Sequence, residues 1–147
     1  MRALVWNVPF LLQGALMMVD EFYFHKKRVL PQWEKIGHPI DTFTVMLGIA
    51  LLIFTAESTN VGGYFFVWAV VSCGVVAKDE WVHQKYCVGT EHFIHAILFV
   101  LHPVVLFSCW RLYQLNEWPA IYLQLVLLSC FFVYQVLYWN VVKRNQP

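Results

Sequence analysis

The side chains of this chain that could bind a metal ion occur as carboxylate and imidazole pairs, each pair near one end of a long apolar segment. Residues three or four positions apart share one face of an α-helix, so both members of a pair can point at one partner. Carboxylates and imidazoles that project inward from facing helices hold the di-iron and di-manganese centres of helical bundles. This spacing therefore predicts a shared metal centre, built from these pairs: Glu21 with His25, His38 with Asp41, Glu80 with His83, and Glu91 with His95.

Further residues extend the candidate site. His102 is seven positions beyond His95, hence on the same helix face and about 10 Å deeper. It precedes Pro103, which leaves a backbone carbonyl without its helical donor, so His102 could bind metal, support a ligand or donate to that carbonyl. We expect Asp20 and Asp79 to be outer acceptors that orient metal-bound imidazoles. The full set of candidate metal ligands is Glu21, His25, His38, Asp41, Glu80, His83, Glu91, His92, His95 and His102.

The ligand types indicate which metal would bind. Carboxylate and imidazole without a nearby thiolate suit iron, manganese or zinc, and more than four candidate ligands favour two ions over one. We expect two iron ions, with zinc or manganese as alternatives and haem as a weaker one. The cysteines lack Cys-x-x-Cys spacing and are expected to be small buried apolar residues; they are Cys73, Cys87, Cys109 and Cys130. No catalytic residue is predicted beyond the metal ligands.

The elements that carry these residues are long apolar segments. The chain is 60% hydrophobic and 13% charged, against about 45–50% and 25% in soluble domains, which indicates a membrane protein. A helix needs about 20 residues to cross the bilayer, so 147 residues form one transmembrane domain of about five spans. No Ala-x-Ala-like site follows the first segment, which we expect to be retained. The predicted spans are residues 3–24, 39–56, 62–81, 91–112 and 119–142.

The distribution of lysine and arginine predicts the orientation. Basic residues concentrate at 26–35, 78–85 and 143–144, and positively charged flanks stay in the cytoplasm. The prediction is an all-α polytopic bundle with its N-terminus outside, its C-terminus inside and the metal site near the cytoplasmic face. Tryptophans such as Trp139 lie near span ends, as an interfacial aromatic belt requires. The net charge of +1 argues against nucleic-acid partners.

Two resemblances add to this interpretation. His92-x-x-His95 resembles part of a histidine box of the membrane-bound di-iron hydroxylases and desaturases, although no His-x-x-His-His occurs. That resemblance implies dioxygen activation, a lipid-like substrate and an electron-donor protein. The runs Asp20-Glu21-Phe22-x-x-His25 and Gly37-His38-Pro39-x-Asp41-Thr42 resemble small uncharacterised bacterial integral membrane proteins. That resemblance implies the bacterial inner membrane and does not indicate which activity the protein has.

The predicted function is a di-metal oxidoreductase, hydroxylase- or desaturase-like, acting on a lipid-like substrate. A zinc-dependent hydrolase would use a similar ligand set to activate water, but the chain lacks His-Glu-x-x-His. A haem-binding electron carrier would not need the carboxylates. A metal or proton transporter would continue the polar path across the bilayer, whereas the outer halves of these segments are apolar. For any single residue, the alternative is a solvated helix cap in a charged collar at the membrane surface.

Overall fold

The computed structural model describes residues 2–27, 29–78, 80, 81, 84, 87 and 89–143, apart from the side chains of residues 2 and 3. Within these residues the predicted all-α fold with five helices is confirmed. Their order along the chain is α1 (Arg2–Val19), α2 (Gln32–Phe54), α3 (Val61–Ala77), α4 (Gly89–Gln114) and α5 (Trp118–Leu137). Two π-helical turns extend this framework, Asp20–Phe24 after α1 and Tyr138–Val142 after α5, and a 3₁₀ turn at His25–Lys27 follows the first.

Three of the helical segments are long and apolar enough to cross a membrane: Gln32–Phe54, Gly89–Gln114 and Trp118–Val142. Helix α3 is also apolar but has only 17 residues, and α1 has 18. Many large apolar side chains point away from the protein; Phe54 and Val70, for example, are 86% and 73% exposed. A surface of this kind matches a lipid environment better than water.

The helices pack so that α4 contacts each of the other four. Helix α1 packs mainly against α4, and α2 packs against both α3 and α5. The apolar core includes Ile49, Leu52, Phe65 and Leu106, which lie in the second half of α2, the first half of α3 and the second half of α4. The polar candidate residues therefore gather at the opposite end, where α1 ends and where α2 and α4 begin.

The start of α2 differs from the prediction. Pro39 was expected near the first position of the second span, but α2 begins at Gln32 and contains Pro39 in its interior. Proline lacks the N–H that would bond to the carbonyl four residues earlier, that of Lys35. The side chain of Asn140 supplies the missing donor, with Nδ2 at 2.9 Å from that carbonyl oxygen. A contact from the far end of the chain thus allows the helix to continue through the proline.

Candidate metal centre

Four buried side chains converge at the polar end of the bundle. We call Asp20, His25, Glu91 and His95 the primary cluster; each offers one ligand atom, and these atoms all lie within 4.8 Å of one another. Their exposed fractions are between 1% and 5%. Burying carboxylates this completely is costly unless they are paired, protonated or bound to a cation.

The π-helical turn after α1 positions Asp20 and His25. The backbone N–H of His25 bonds to the carbonyl of Asp20, five residues earlier. A turn of this width brings residues five apart onto one face, where a regular α-helix would separate them. Asp20 Oδ2 consequently lies 3.2 Å from His25 Nε2, whereas Glu21 Oε2 lies 3.7 Å from His25 Nδ1. Asp20, expected to be an outer acceptor, is therefore in the cluster itself.

Helix α4 supplies the other two members of the primary cluster. Glu91 and His95 are four residues apart and share the face of α4 that packs against the end of α1. His95 Nε2 lies 2.9 Å from Asp20 Oδ2, and Glu91 Oε1 lies 3.9 Å from His25 Nε2. The carboxylate of Asp20 is thus placed between two imidazoles that come from different helices.

The geometry of the primary cluster fits a metal ion. Ligand atoms around one ion are about 3.0–3.4 Å apart when the metal–ligand bonds are about 2.1 Å long. The separations of 2.9, 3.2 and 3.9 Å within the cluster are close to this range. Among the described residues, Asp20 Oδ1 and both ring nitrogens of His25 are buried without a hydrogen-bond partner. Close, buried atoms that do not hydrogen-bond one another are suited to a shared cation, so the cluster could hold a metal.

A second group adjoins the first. His25, Glu34 and His38 also offer ligand atoms within 4.8 Å of one another, and the rings of His25 and His38 stack with centroids 4.8 Å apart. Glu34 is not among the ligands predicted from the sequence, although its four-residue spacing to His38 is a helical signal that could have identified it. Because His25 belongs to both groups, two ions bound there would be neighbours.

Trp139 supports the site from the π-helical turn that follows α5. Its indole Nε1 donates a hydrogen bond to Glu21 Oε1. The π-helical turn that contains Trp139 is closed by the N–H of Lys143, which donates to the carbonyl of Tyr138 at 2.8 Å. Trp139 is 5% exposed, so it is a buried neighbour of the cluster as well as an aromatic residue near a span end. Glu21, a predicted ligand, is held next to the primary cluster by this contact.

The surroundings of His25 affect its protonation. Burial by itself lowers the pKa of His25, because it disfavours the charged imidazolium. The carboxylates of Glu21, Asp20 and Glu34 favour that charge and outweigh burial, so the net pKa lies above the ordinary value of 6.5. These carboxylates therefore stabilise a positive charge on the His25 ring.

Four further predicted ligands among the described residues lie outside both the primary cluster and the second group. Asp41 pairs with Lys78, with Oδ1 at 3.4 Å from Nζ. Glu80 Oε1 lies 3.4 Å from His92 Nε2 in a pair whose side chains are more than a third exposed. His102 is buried deeper in α4 and contacts Ser72 on α3. The predicted ligand His83 and the predicted outer acceptor Asp79 lie outside the described residues.

The cysteines differ from one another more than expected. Cys109 is buried, Cys73 and Cys87 are half-buried, and Cys130 is exposed on the apolar surface. Cys87 Sγ lies 3.7 Å from His95 Nδ1. The expectation of a site without a neighbouring thiol is therefore wrong, because Cys87 contacts the ring of a primary-cluster residue.

A cavity of about 100 Å³ borders the primary cluster. All five helices contribute to its lining, which includes Asp20, His38 and His95 at one side. Apolar side chains such as Leu98 and Phe131 form much of the remainder. An apolar cavity of about 150 Å³ can admit a molecule the size of benzene, so this cavity could hold a short stretch of an apolar ligand beside the cluster.

No protein-family model, curated protein or solved structure matches this chain.

Proposed function

We propose that this protein is a membrane-embedded metalloenzyme that binds two iron ions and oxidises a lipid-like substrate. The observation that carries the proposal is the convergence of imidazoles and buried carboxylates from three chain segments on two overlapping groups of potential ligands. Bundle proteins that hold two iron or manganese ions use the same donor types projecting inward from facing helices. The bordering cavity gives a substrate access to that centre.

The charge of the site supports two ions. Four carboxylates are buried there, those of Asp20, Glu21, Glu34 and Glu91. The buried ammonium group of Lys35 is directed to the backbone carbonyl of Lys143, with Nζ at 3.3 Å from that oxygen. Two divalent ions would carry as many positive charges as the carboxylates carry negative ones. Such compensation removes most of the cost of placing these groups away from water.

The donor set supports iron as the first choice. Mixed oxygen and nitrogen donors suit iron, manganese and zinc, and the number of carboxylates exceeds what a single zinc ion needs. When bound, redox-active ions would supply the activation of dioxygen. Hydroxylation of a C–H bond consumes one dioxygen, two protons and two electrons from a donor protein, and gives the alcohol and water.

The chain's own residues would hold and orient these reactants. The primary cluster and the second group would bind the ions, and Trp139 would fix Glu21 beside them through its indole donor. The apolar cavity walls would exclude water and position an alkyl chain. Burial of the whole site favours a reaction that must be protected from solvent.

We further propose that all five helices span the bacterial inner membrane, with the N-terminus outside and the metal site near the cytoplasm. The cluster end of the bundle also carries Lys26, Lys27, Lys78 and Lys143, whereas Arg111 lies at the opposite end of α4. This asymmetry supports the orientation because basic flanks are retained on the cytoplasmic side. Reporter fusions at the two termini would test it, with activity of a cytoplasmic reporter expected only at the C-terminus.

Elemental analysis of protein purified without added metal tests the metalloenzyme proposal. We expect about two equivalents of iron, lost in Glu91→Gln and in His95→Ala. His92→Ala is the matched control, because His92 is on the same helix but pairs with Glu80 at a partly exposed position. Equal metal content in all three variants, or no bound metal in the wild type, would contradict the proposal. Zinc alone would favour the hydrolase alternative.

A further inference from the structure

His102 lines the same cavity as the primary cluster, about 10 Å deeper along α4 than His95. It is 5% exposed and belongs to a line of hydrogen bonds that joins three helices. His102 Nε2 lies 2.8 Å from Ser72 Oγ on α3, and Ser72 Oγ lies 2.8 Å from Thr44 Oγ1 on α2. The imidazole of His102 is thus a polar group that a ligand in the cavity can contact.

The last acceptor in this line of hydrogen bonds, the backbone carbonyl of Asp41, determines which atom donates in each bond. Thr44 Oγ1 donates to the backbone carbonyl of Asp41 at 2.8 Å, and a carbonyl can only accept. The single hydroxyl hydrogen of Thr44 is then used, so Ser72 must donate to Thr44. With the hydrogen of Ser72 also used, Nε2–H of His102 must donate to Ser72. Only this arrangement satisfies all three contacts at once.

The line therefore fixes the tautomer of His102. A neutral imidazole that carries its hydrogen on Nε2 has an acceptor lone pair on Nδ1. Since Nε2 is committed to Ser72, Nδ1 is the nitrogen that remains for a group in the cavity. The walls near His102 are apolar, with Leu98 and Phe99 preceding it on α4. The cavity thus combines apolar walls with a hydrogen-bond acceptor on His102; its lining also includes Gln13, whose Oε1 is buried and has no hydrogen-bond partner among the described residues.

We propose that the cavity binds an apolar chain bearing a hydroxyl group, and that His102 Nδ1 accepts the hydroxyl hydrogen. This inference rests on the proposed function, for which it names the substrate class: a lipid-like alcohol, or a chain that carries a hydroxyl away from the oxidised carbon. A buried acceptor in an apolar wall discriminates against ligands that lack a donor, because the acceptor then stays unpaired. His102 is a binding residue in this role and the primary cluster is the reaction centre.

Two isomeric probes test this inference, 1-octanol and 1-methoxyheptane, which have the same atoms but differ in hydroxyl and ether. They are titrated into ¹⁵N-histidine-labelled protein in lipid nanodiscs, with diamagnetic zinc added in place of iron. Before addition we expect the nitrogen spectrum of His102 to show protonated Nε2 and unprotonated Nδ1. Octanol should shift the Nδ1 signal saturably and bind about fivefold more tightly than the ether, the value of one net hydrogen bond.

Two variants test whether His102 causes the preference for octanol. His102→Phe should abolish the preference for octanol over the ether, whereas Ser108→Ala should keep it. Ser108 is a fitting control because it is buried on the same helix and its hydroxyl donates to its own helix, to the carbonyl of Val104. If His102→Phe does not fold, the wild-type nitrogen spectrum still decides between the tautomers.

The outcomes separate this inference from the metalloenzyme proposal. Equal affinity for the two probes in the wild type, or an unprotonated Nε2, would overturn the role of His102 even if two iron ions are found. A preference for octanol that depends on His102, in a protein that contains no metal after purification, would support the alcohol site and overturn the metalloenzyme.

Discussion

The substitution Asp20→Asn tests the central feature of the candidate centre. It replaces one carboxylate oxygen with an amide nitrogen at nearly constant volume and removes the negative charge. Asp20 Oδ2 lies 2.9 Å from His95 Nε2 and 3.2 Å from His25 Nε2, so the lost charge lies where an ion would bind. Loss of an outer partner of a metal ligand already costs about 10–100-fold in affinity. We therefore expect Asp20→Asn to weaken metal binding by more than about 100-fold.

The same loss is measurable as stability. An ion present at 100 times its Kd stabilises the folded state by about 2.7 kcal/mol, and a 100-fold rise in Kd reduces this to about 0.4 kcal/mol. Thermal unfolding in detergent, recorded with and without the same concentration of added ion, should show a large metal-dependent shift in the wild type. In Asp20→Asn most of that shift should disappear. Competition with a chromophoric chelator gives the change in Kd directly.

Glu21→Gln is the matched control, because it removes the same charge one residue along the chain. Glu21 accepts the indole hydrogen of Trp139 and is 3.7 Å from the His25 ring, so its loss should weaken binding by only about 10–100-fold. Wild-type affinity in Asp20→Asn, or a larger defect in Glu21→Gln than in Asp20→Asn, would refute the assignment of Asp20 to the cluster.

Three further predictions concern the surroundings of the site. Trp139→Phe removes an indole donor but keeps an aromatic ring, so metal affinity should fall about tenfold. The helix content, measured by circular dichroism, should stay the same. A chelator titration that gives the wild-type metal affinity would contradict this prediction. The pKa of His25 is raised in the folded, metal-free protein, so protonated His25 stabilises the fold fully below the unfolded pKa of about 6.5, and this stabilisation is lost as pH rises through the folded pKa. Chelator-treated protein should therefore melt at a lower temperature at pH 8 than at pH 6. The opposite trend would argue against the contacts of His25 with the carboxylates. Asn140→Ala should destabilise the wild type by about 1–3 kcal/mol because the carbonyl of Lys35 loses its donor. The same change should cost much less in a Pro39→Ala background, where the backbone N–H of residue 39 can bond to that carbonyl. Equal costs in the two backgrounds, measured by unfolding, would contradict the role of Asn140 as the replacement donor.

The helices and three of the four members of the primary cluster, all except Asp20, could be predicted from the sequence. Apolar segments of about 20 residues are a strong signal, and five helices occur where five such segments were found. Glu91 and His95 were predicted as a pair because they lie on a regular α-helix, where a four-residue spacing reliably puts two side chains on one face. Local periodicity is sufficient wherever the backbone is regular.

Asp20 and Glu34 were assigned incompletely because the backbone near them departs from the expected pattern. The α-helical spacing favoured Glu21 over Asp20 as the partner of His25, and only the π-helical turn reverses their proximity to its ring. Glu34 was placed in a loop because Pro39 marked the expected start of the helix. That interpretation fails because Asn140, more than a hundred residues away, supplies the donor that the proline lacks, and such a contact leaves no local signal.

The contact of Trp139 with Glu21 and that of Ser72 with His102 could not be predicted for a similar reason. Tryptophan near a span end is common at the membrane surface, and serine inside an apolar helix is common as well. Their roles depend on which helices pack side by side, and one amphipathic pattern is compatible with several packing orders. Only the three-dimensional arrangement identifies their partners.

The wide turn at Asp20–Phe24 also determines which side of α1 faces the bundle. Relative to a regular helix it contains one additional residue, and one residue corresponds to a rotation of about 100° around the helix axis. Shortening this turn by a single residue would leave the length and hydrophobicity of α1 almost unaltered, yet it would turn the side now packed on α4 away from the bundle. In related chains, a one-residue gap at this place in an alignment would accordingly signal a differently oriented first helix.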